Sequence, residues 1–211
     1  SLVVAAVIVL PFFNQQTGFD WLIKLYGGTM SYYDYATVNA TNLYFLFGLN
    51  WQPVSAQAGW LLRLSGALAL LVPVGWFAVT RRQALAALKS WQLVLLAVSL
   101  LPAVAVAAVP MPISMMGTLL MIASFLLVML AYLHARNIHQ LPLLGTVLLI
   151  LFCSLGSMMH ERYPFQALIL LTLAYLLKRD RRILALLIIS SLVTFLNVGI
   201  VLDRAIRIGG V

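Results

Sequence analysis

Six apolar runs succeed one another along this chain, at about Ala58–Val79, Trp91–Val109, Ser114–Leu133, Leu143–Met158, Pro164–Leu177 and Ile183–Leu202, with short polar clusters between them. A helix needs about 20 apolar residues to cross a hydrocarbon core of roughly 30 Å. That core holds no water, so every backbone N–H and C=O must pair internally, which leaves only helices or a closed barrel. A barrel alternates apolar and polar residues in segments of about ten, and runs such as Leu61–Val79 and Ile183–Leu202 do not alternate. The expected fold is an all-α polytopic transmembrane helical bundle of about six or seven spans. Pro164–Leu177 is short: about 14 residues rise only about 21 Å. Local thinning, a water-filled vestibule or an extension at either end would accommodate it.

Composition agrees. The chain is 64% hydrophobic and 9% charged, with a mean hydropathy of +1.05, whereas soluble domains carry roughly a quarter charged residues. The formal charge of +8 would suggest nucleic acid in a soluble protein. Here the basic residues lie in short loops and act as topology signals instead, so no nucleic-acid partner is expected. Cys153 is the only cysteine and falls in an apolar run, which excludes a disulfide framework and a cysteine-rich metal site.

Residues 1–211 are read as a single transmembrane module and, since the chain opens at Ser1 inside an apolar run, as a fragment. Ser1–Phe13 has the character of the end of a membrane helix and lacks the charged flank of a signal peptide. Asn14–Gln57 is too polar to span and forms a long surface segment, with Phe19–Tyr26 as an interfacial stretch at headgroup depth. Counted alternately, one set of loops holds Arg81, Arg82, Lys89, Arg136, Lys178, Arg179, Arg181 and Arg182, eight of the thirteen basic residues. The positive-inside bias makes that set cytoplasmic. Lys24, Arg162, Arg204 and Arg207 lie on the other side, with four of the five acids: Asp20, Asp34, Glu161 and Asp203. Pro102, Pro110 and Pro112 fall in or beside one span, where proline bends or ends a helix.

Two segments of the non-cytoplasmic side carry the chemistry. His160-Glu161-Arg162-Tyr163-Pro164 is squeezed between two apolar runs. Charged groups beside hydrocarbon are costly and usually line a polar cavity, pair, or serve a site. A hydrated turn would read the same way. If functional, the Arg162 guanidinium and the His160 imidazole suit a phosphate at headgroup depth, which a membrane lipid could supply. Glu161 would hold one of them or act on a hydroxyl itself. One histidine and one glutamate make a poor metal site, so no metal is expected. The second segment runs from Ser31 through Tyr35, Asn39, Asn42 and Tyr44 to Asn50-Trp51 and is dominated by aromatics and amides. These suit sugar recognition, and an interfacial aromatic belt has the same composition. Asn39-Ala40-Thr41 is also an N-glycosylation pattern, relevant only in a eukaryotic lumen. Arg63 lies near the outer end of its span, where it would snorkel to the interface or add positive charge to the same vestibule.

The string YATVNATNLYFLFGLNW (Tyr35–Trp51), followed far downstream by MHERYPF (Met159–Phe165), resembles the bacterial mannosyltransferase-like proteins related to the second mannosyltransferase of GPI-anchor synthesis. They are GT-C-class enzymes, multi-spanning glycosyltransferases that use sugars on polyprenyl phosphates and face away from the cytoplasm. The resemblance runs from about Phe19 to Asn197. It implies a membrane hexosyltransferase moving a mannose-like sugar from a polyprenyl-phosphate donor to an acceptor hydroxyl on a glycan, lipid or protein. The expected location is a bacterial inner membrane, with the site toward the periplasm or exterior. By the same resemblance His160, Arg162 and Tyr163 contact the donor phosphate, with Arg63 as an auxiliary charge, and Tyr35, Asn39, Asn42 and Trp51 line the substrate cavity. The class places its catalytic aspartate in a first external loop that would precede Ser1. That leaves Asp34 and Glu161 as acid–base candidates here and makes a missing N-terminal part of the same protein an expected partner. No cofactor is expected beyond the lipid-linked donor. The competing readings are a transporter or lipid flippase, which would place polar groups on broken helices near the midplane, and a non-catalytic module that binds lipid phosphate.

Overall fold

The computed structural model describes Lys24, residues 34–135 and residues 137–209. The chain divides into two compact units, Ser1–Asp34 and Tyr35–Val211. In the first, Lys24 is helical and exposed and Asp34 is exposed. The membrane run expected at Ser1–Phe13 and the rest of the interfacial stretch at Phe19–Tyr26 lie outside the described residues. The boundary between them falls inside the Asn14–Gln57 segment. From Tyr35 onward the backbone is tied into the bundle: Ala36 N–H donates to Gln52 O at 2.7 Å and Met158 N–H donates to Ala36 O at 3.0 Å.

The second unit is mostly helical. Its order is β1 (Thr37–Val38), α1 (Leu43–Leu46), α2 (Trp60–Thr80), α3 (Arg82–Ala86), α4 (Ser90–Ala108), α5 (Ile113–Leu133), a 3-10 turn (Ile138–Gln140), α6 (Leu141–Leu155), β2 (Met159–His160), α7 (Phe165–Lys178) and α8 (Arg181–Gly209). Five helical stretches are long and apolar enough to cross a membrane: α2, α4, α5, the 3-10 turn with α6, and α8 over Arg181–Asp203. That is the signature of an integral membrane protein. Helix α7, at 14 residues, is the short one.

The expected runs match these helices closely, with two informative differences. The run expected to reach Met158 stops at Leu155, because Gly156 closes α6 on Phe152 O and the chain turns through Met158 at φ 60° into β2. The last run continues beyond Leu202 to Gly209, and an exposed Asp203–Arg207 pair at 2.9 Å bridges one turn of that extension. Of the prolines, Pro102 sits inside an uninterrupted α4, while Pro112 precedes and caps α5.

Helix α5 is the axis of the bundle: 44% of its membrane window is buried, against 11–22% for the other four. Its Ile113, Met116, Leu120 and Ala123 share one core with Leu62 and Leu70 of α2 and with Ala103 and Val106 of α4. Lipid tails are as apolar as leucine, so helices in a bilayer associate through close van der Waals packing, which small residues permit. Gly66 of α2 illustrates this, since a Cβ there would come within 2.8 Å of Leu120 and Met116. Large apolar side chains, including Val72, Trp76, Leu101, Ile169 and Phe195, point outward. In water they would be a liability; in hydrocarbon they are solvated.

Connectors of successive helices fall at alternate ends. Residues 35–59, 109–112 and 156–164 make one end, and 81–89, 134–140 and 179–180 the other. The second end carries Arg81, Arg82, Lys89, Lys178 and Arg179, with Arg181 and Arg182 opening α8; Arg136 is outside the described residues.

Candidate functional site

Thr37-Val38 and Met159-His160 form a parallel pair, with Thr37 opposite Met159 and Val38 opposite His160. Parallel strands need a long crossover, and here the crossover is the bundle from α1 through α6. Two-residue strands are marginal alone, so their surroundings hold them. Ala36, Thr37 and Val38 are buried, and the Thr37 hydroxyl lies within hydrogen-bond distance of Ala40 O and Met159 O, at 3.3 and 3.4 Å. Fully buried Tyr44 donates its hydroxyl to Leu155 O at 2.9 Å, satisfying one of the carbonyls that α6 leaves open at its C-terminus. Burial pushes the Tyr44 phenol well above its ordinary pKa. Gly117 of α5 lies against the turn that leads into β2; a Cβ there would fall 2.6 Å from Ser157 N.

Beside the strands, the segment from Tyr35 to Trp51 closes on itself. Asn39 adopts φ 55°, a left-handed conformation that asparagine tolerates. Its side-chain oxygen accepts from Asn50 Nδ2 at 2.9 Å and from Trp51 Nε1 at 3.1 Å, and its N–H donates to Asn50 Oδ1 at 2.8 Å. Trp51 has φ 61° and meets Tyr35 edge-on, with ring centroids 5.2 Å apart. Asn39, Trp51 and Met158 are three of the four non-glycine residues at positive φ among those described. Such strain costs of order 1–3 kcal/mol each and clusters at functional sites.

Asn39 also bridges His160 across the end of the strand pair. The His160 ring is buried, stands edge-on to Tyr163 at 5.2 Å, and has Nδ1 3.9 Å from Glu161 Oε2, beyond hydrogen-bond range. Burial and the Arg162 charge hold its pKa below the usual imidazole value, and Glu161 only partly opposes them. The imidazole is therefore neutral at neutral pH. Of the two groups expected to meet a phosphate, Arg162 brings the fixed charge. Arg162 and Tyr163 are exposed, and Glu161 is partly so.

Below His160 a cavity of ≈170 Å³ opens between α6 and α8, which pack on either side of α7. Thr41, His160 and Pro164 form its end beside the strand pair, Ile150, Cys153 and Ser154 one wall, and Ile189, Ser190, Val193, Thr194 and Asn197 the other.

The structure thus joins Tyr35, Asn39, Trp51, His160, Glu161, Arg162 and Tyr163 at one end of the bundle. It does not put the whole expected set in one cavity. Tyr35, Asn39, Asn42 and Trp51 are absent from the lining just described. Asn42 caps α1 instead, accepting from Phe45 N–H at 3.1 Å. Arg63 is buried and turned inward: its Nη1 donates to Ala107 O at 3.4 Å, at the negative end of the α4 dipole, so the expected snorkelling is replaced by a helix-end contact. Asp34 belongs to the first unit. Ser190, Thr194 and Asn197 were missed by sequence reasoning, and their signal was a polar face at i, i+4, i+7 in an otherwise apolar run. No family model, curated protein or solved structure matches the chain.

Proposed function

We propose that this chain belongs to a membrane glycosyltransferase, one that moves a mannose-like hexose from a polyprenyl-phosphate donor to an acceptor hydroxyl on the non-cytoplasmic side of a bacterial inner membrane. The observation that carries the reading is the pairing of β1 with β2. The two strings that resemble the mannosyltransferase-like family lie 122 residues apart at Thr37 and Met159, yet they build one site at the mouth of a membrane-depth cavity.

In this reading the donor's lipid tail stays in the bilayer while its phosphate meets Arg162 at the rim. The acceptor oxygen attacks the anomeric carbon, the bond from that carbon to the phosphate oxygen breaks, and the polyprenyl phosphate departs with the electron pair. A carboxylate takes the acceptor's proton; Glu161 and Asp34 are the candidates in this chain. Charge grows on the leaving phosphate, so a fixed guanidinium lowers the barrier more than it strengthens ground-state binding. Neutral His160 supplies a hydrogen bond or passes a proton.

The test is transfer of radiolabelled sugar from a panel of polyprenyl-phosphate sugars by the full natural protein in liposomes, beside Arg162→Ala and His160→Ala. Transfer that collapses in both folded variants supports the reading. Donor binding without transfer would favour a non-catalytic lipid-phosphate module, and flux of lipid across the vesicle without transfer would favour a flippase.

A further inference from the structure

Helix α8 carries Ser190, Thr194 and Asn197 on one face, about 10 Å from first to last at 1.5 Å per residue, and all three line the cavity beneath His160. The other helical threonines, Thr80, Thr118, Thr146 and Thr172, satisfy themselves, as do Ser99 and Ser124: each donates to the carbonyl four residues earlier at 2.7–2.9 Å. Among the described residues, the side chains of Ser190, Thr194 and Asn197 make no such bond. Yet Thr194 is only 4% exposed and Asn197 6%. Polar groups without partners are costly at membrane depth, so buried Thr194 and Asn197, with half-buried Ser190 on the same face, are arranged for something that enters the cavity they line.

The cavity's chemistry limits what that is. Among the described residues Glu161 and Arg162 are outside the lining, so its hydrogen-bonding groups, those of α8 with Thr41, Ser154 and the neutral His160 imidazole, are uncharged. Ile150, Ile189 and Val193 supply apolar faces. At ≈170 Å³ it compares with an engineered cavity of roughly 150 Å³ that admits benzene. We propose that this cavity is a subsite for a neutral, hydroxyl-bearing ring of pyranose size, with Ser190, Thr194 and Asn197 of α8 reading its hydroxyls. Specificity then resides on α8 rather than in the aromatic segment around Asn39 and Trp51. Only the origin of the ring, from donor or acceptor, rests on the glycosyltransferase reading.

Cys153 lines the same cavity and is the only cysteine in the chain, so its alkylation by N-ethylmaleimide reports occupancy. The experiment measures alkylation of the full protein in lipid nanodiscs with octyl mannoside, octyl phosphate, mannosyl-phosphoryl polyprenol or sugar-free polyprenyl phosphate present. Sugar-bearing probes should protect and their sugar-free counterparts should not. Protection by octyl mannoside alone assigns the ring to the acceptor, and protection by mannosyl-phosphoryl polyprenol alone assigns it to the donor; both support the subsite. Thr194→Val and Asn197→Leu should each raise the half-protecting concentration about fivefold, the equivalent of about one neutral hydrogen bond. Ser190→Ala serves as the third variant should Asn197→Leu fail to fold. Equal protection by octyl phosphate, no protection by any probe, or unchanged protection in folded variants would overturn the proposal. Lost glycosyl transfer with protection intact removes only the enzymatic reading, whereas transfer without protection removes only the subsite.

Discussion

At His160, burial and the neighbouring Arg162 charge outweigh Glu161 and keep the imidazole neutral. A histidine with a lowered folded pKa binds its proton more readily when unfolded, so stability rises with pH. That contribution is intact above the unfolded value of about 6.5 and is lost as pH falls through the depressed folded value. The thermal midpoint in detergent should therefore drop between pH 7 and pH 5, and His160→Gln should flatten that drop; parallel profiles would show that His160 is not its source. Arg162 is a different case. Because it is exposed, Arg162→Ala should change stability by no more than about 0.5 kcal/mol. On the proposed function, the same change should lower transfer by about 10²–10³-fold, as the loss of a transition-state donor does, and kinetics beside a melting curve checks both.

Among the elements, the connection of α6 to β2 is the most sensitive. Tyr44→Phe removes the donor to Leu155 O and should cost about 1–3 kcal/mol by leaving a buried carbonyl unpaired. Gly117→Ala would drive a methyl into the Ser157 backbone, and overpacking of this kind costs about 1–3 kcal/mol; chemical or thermal unfolding in detergent measures either. Helix positions were legible in the sequence, because apolar length alone dictates a span. The pairing of β1 with β2 was not, since two-residue strands have no periodicity and their partner lies 122 residues away. Of the site, His160, Glu161 and Arg162 were legible as ionisable groups against hydrocarbon. Thr194 and Asn197 were hidden, because one hydroxyl and one amide barely dent a run whose mean hydropathy is 2.4.

For the molecule as a whole, the alternation of connectors separates a basic end from the end that carries the site. The proposed orientation, basic end inward, predicts that in a Cys153→Ala background a cysteine at Gln57 reacts with an impermeant thiol reagent from outside, and one at His139 only after permeabilisation. The opposite pattern would invert the protein. The strand pair also has a consequence in time. At about 5–20 residues per second a ribosome needs roughly 6–24 s to make the residues between the two partner strands. In the proposed orientation, the first strand waits until then on the far side of the membrane with an open edge, beside helices that have already inserted. Insertion and the acquisition of a site are therefore separate events in the protein's biogenesis, and a chain that stops before residue 159 yields a well-anchored bundle with nothing to close its outer segment.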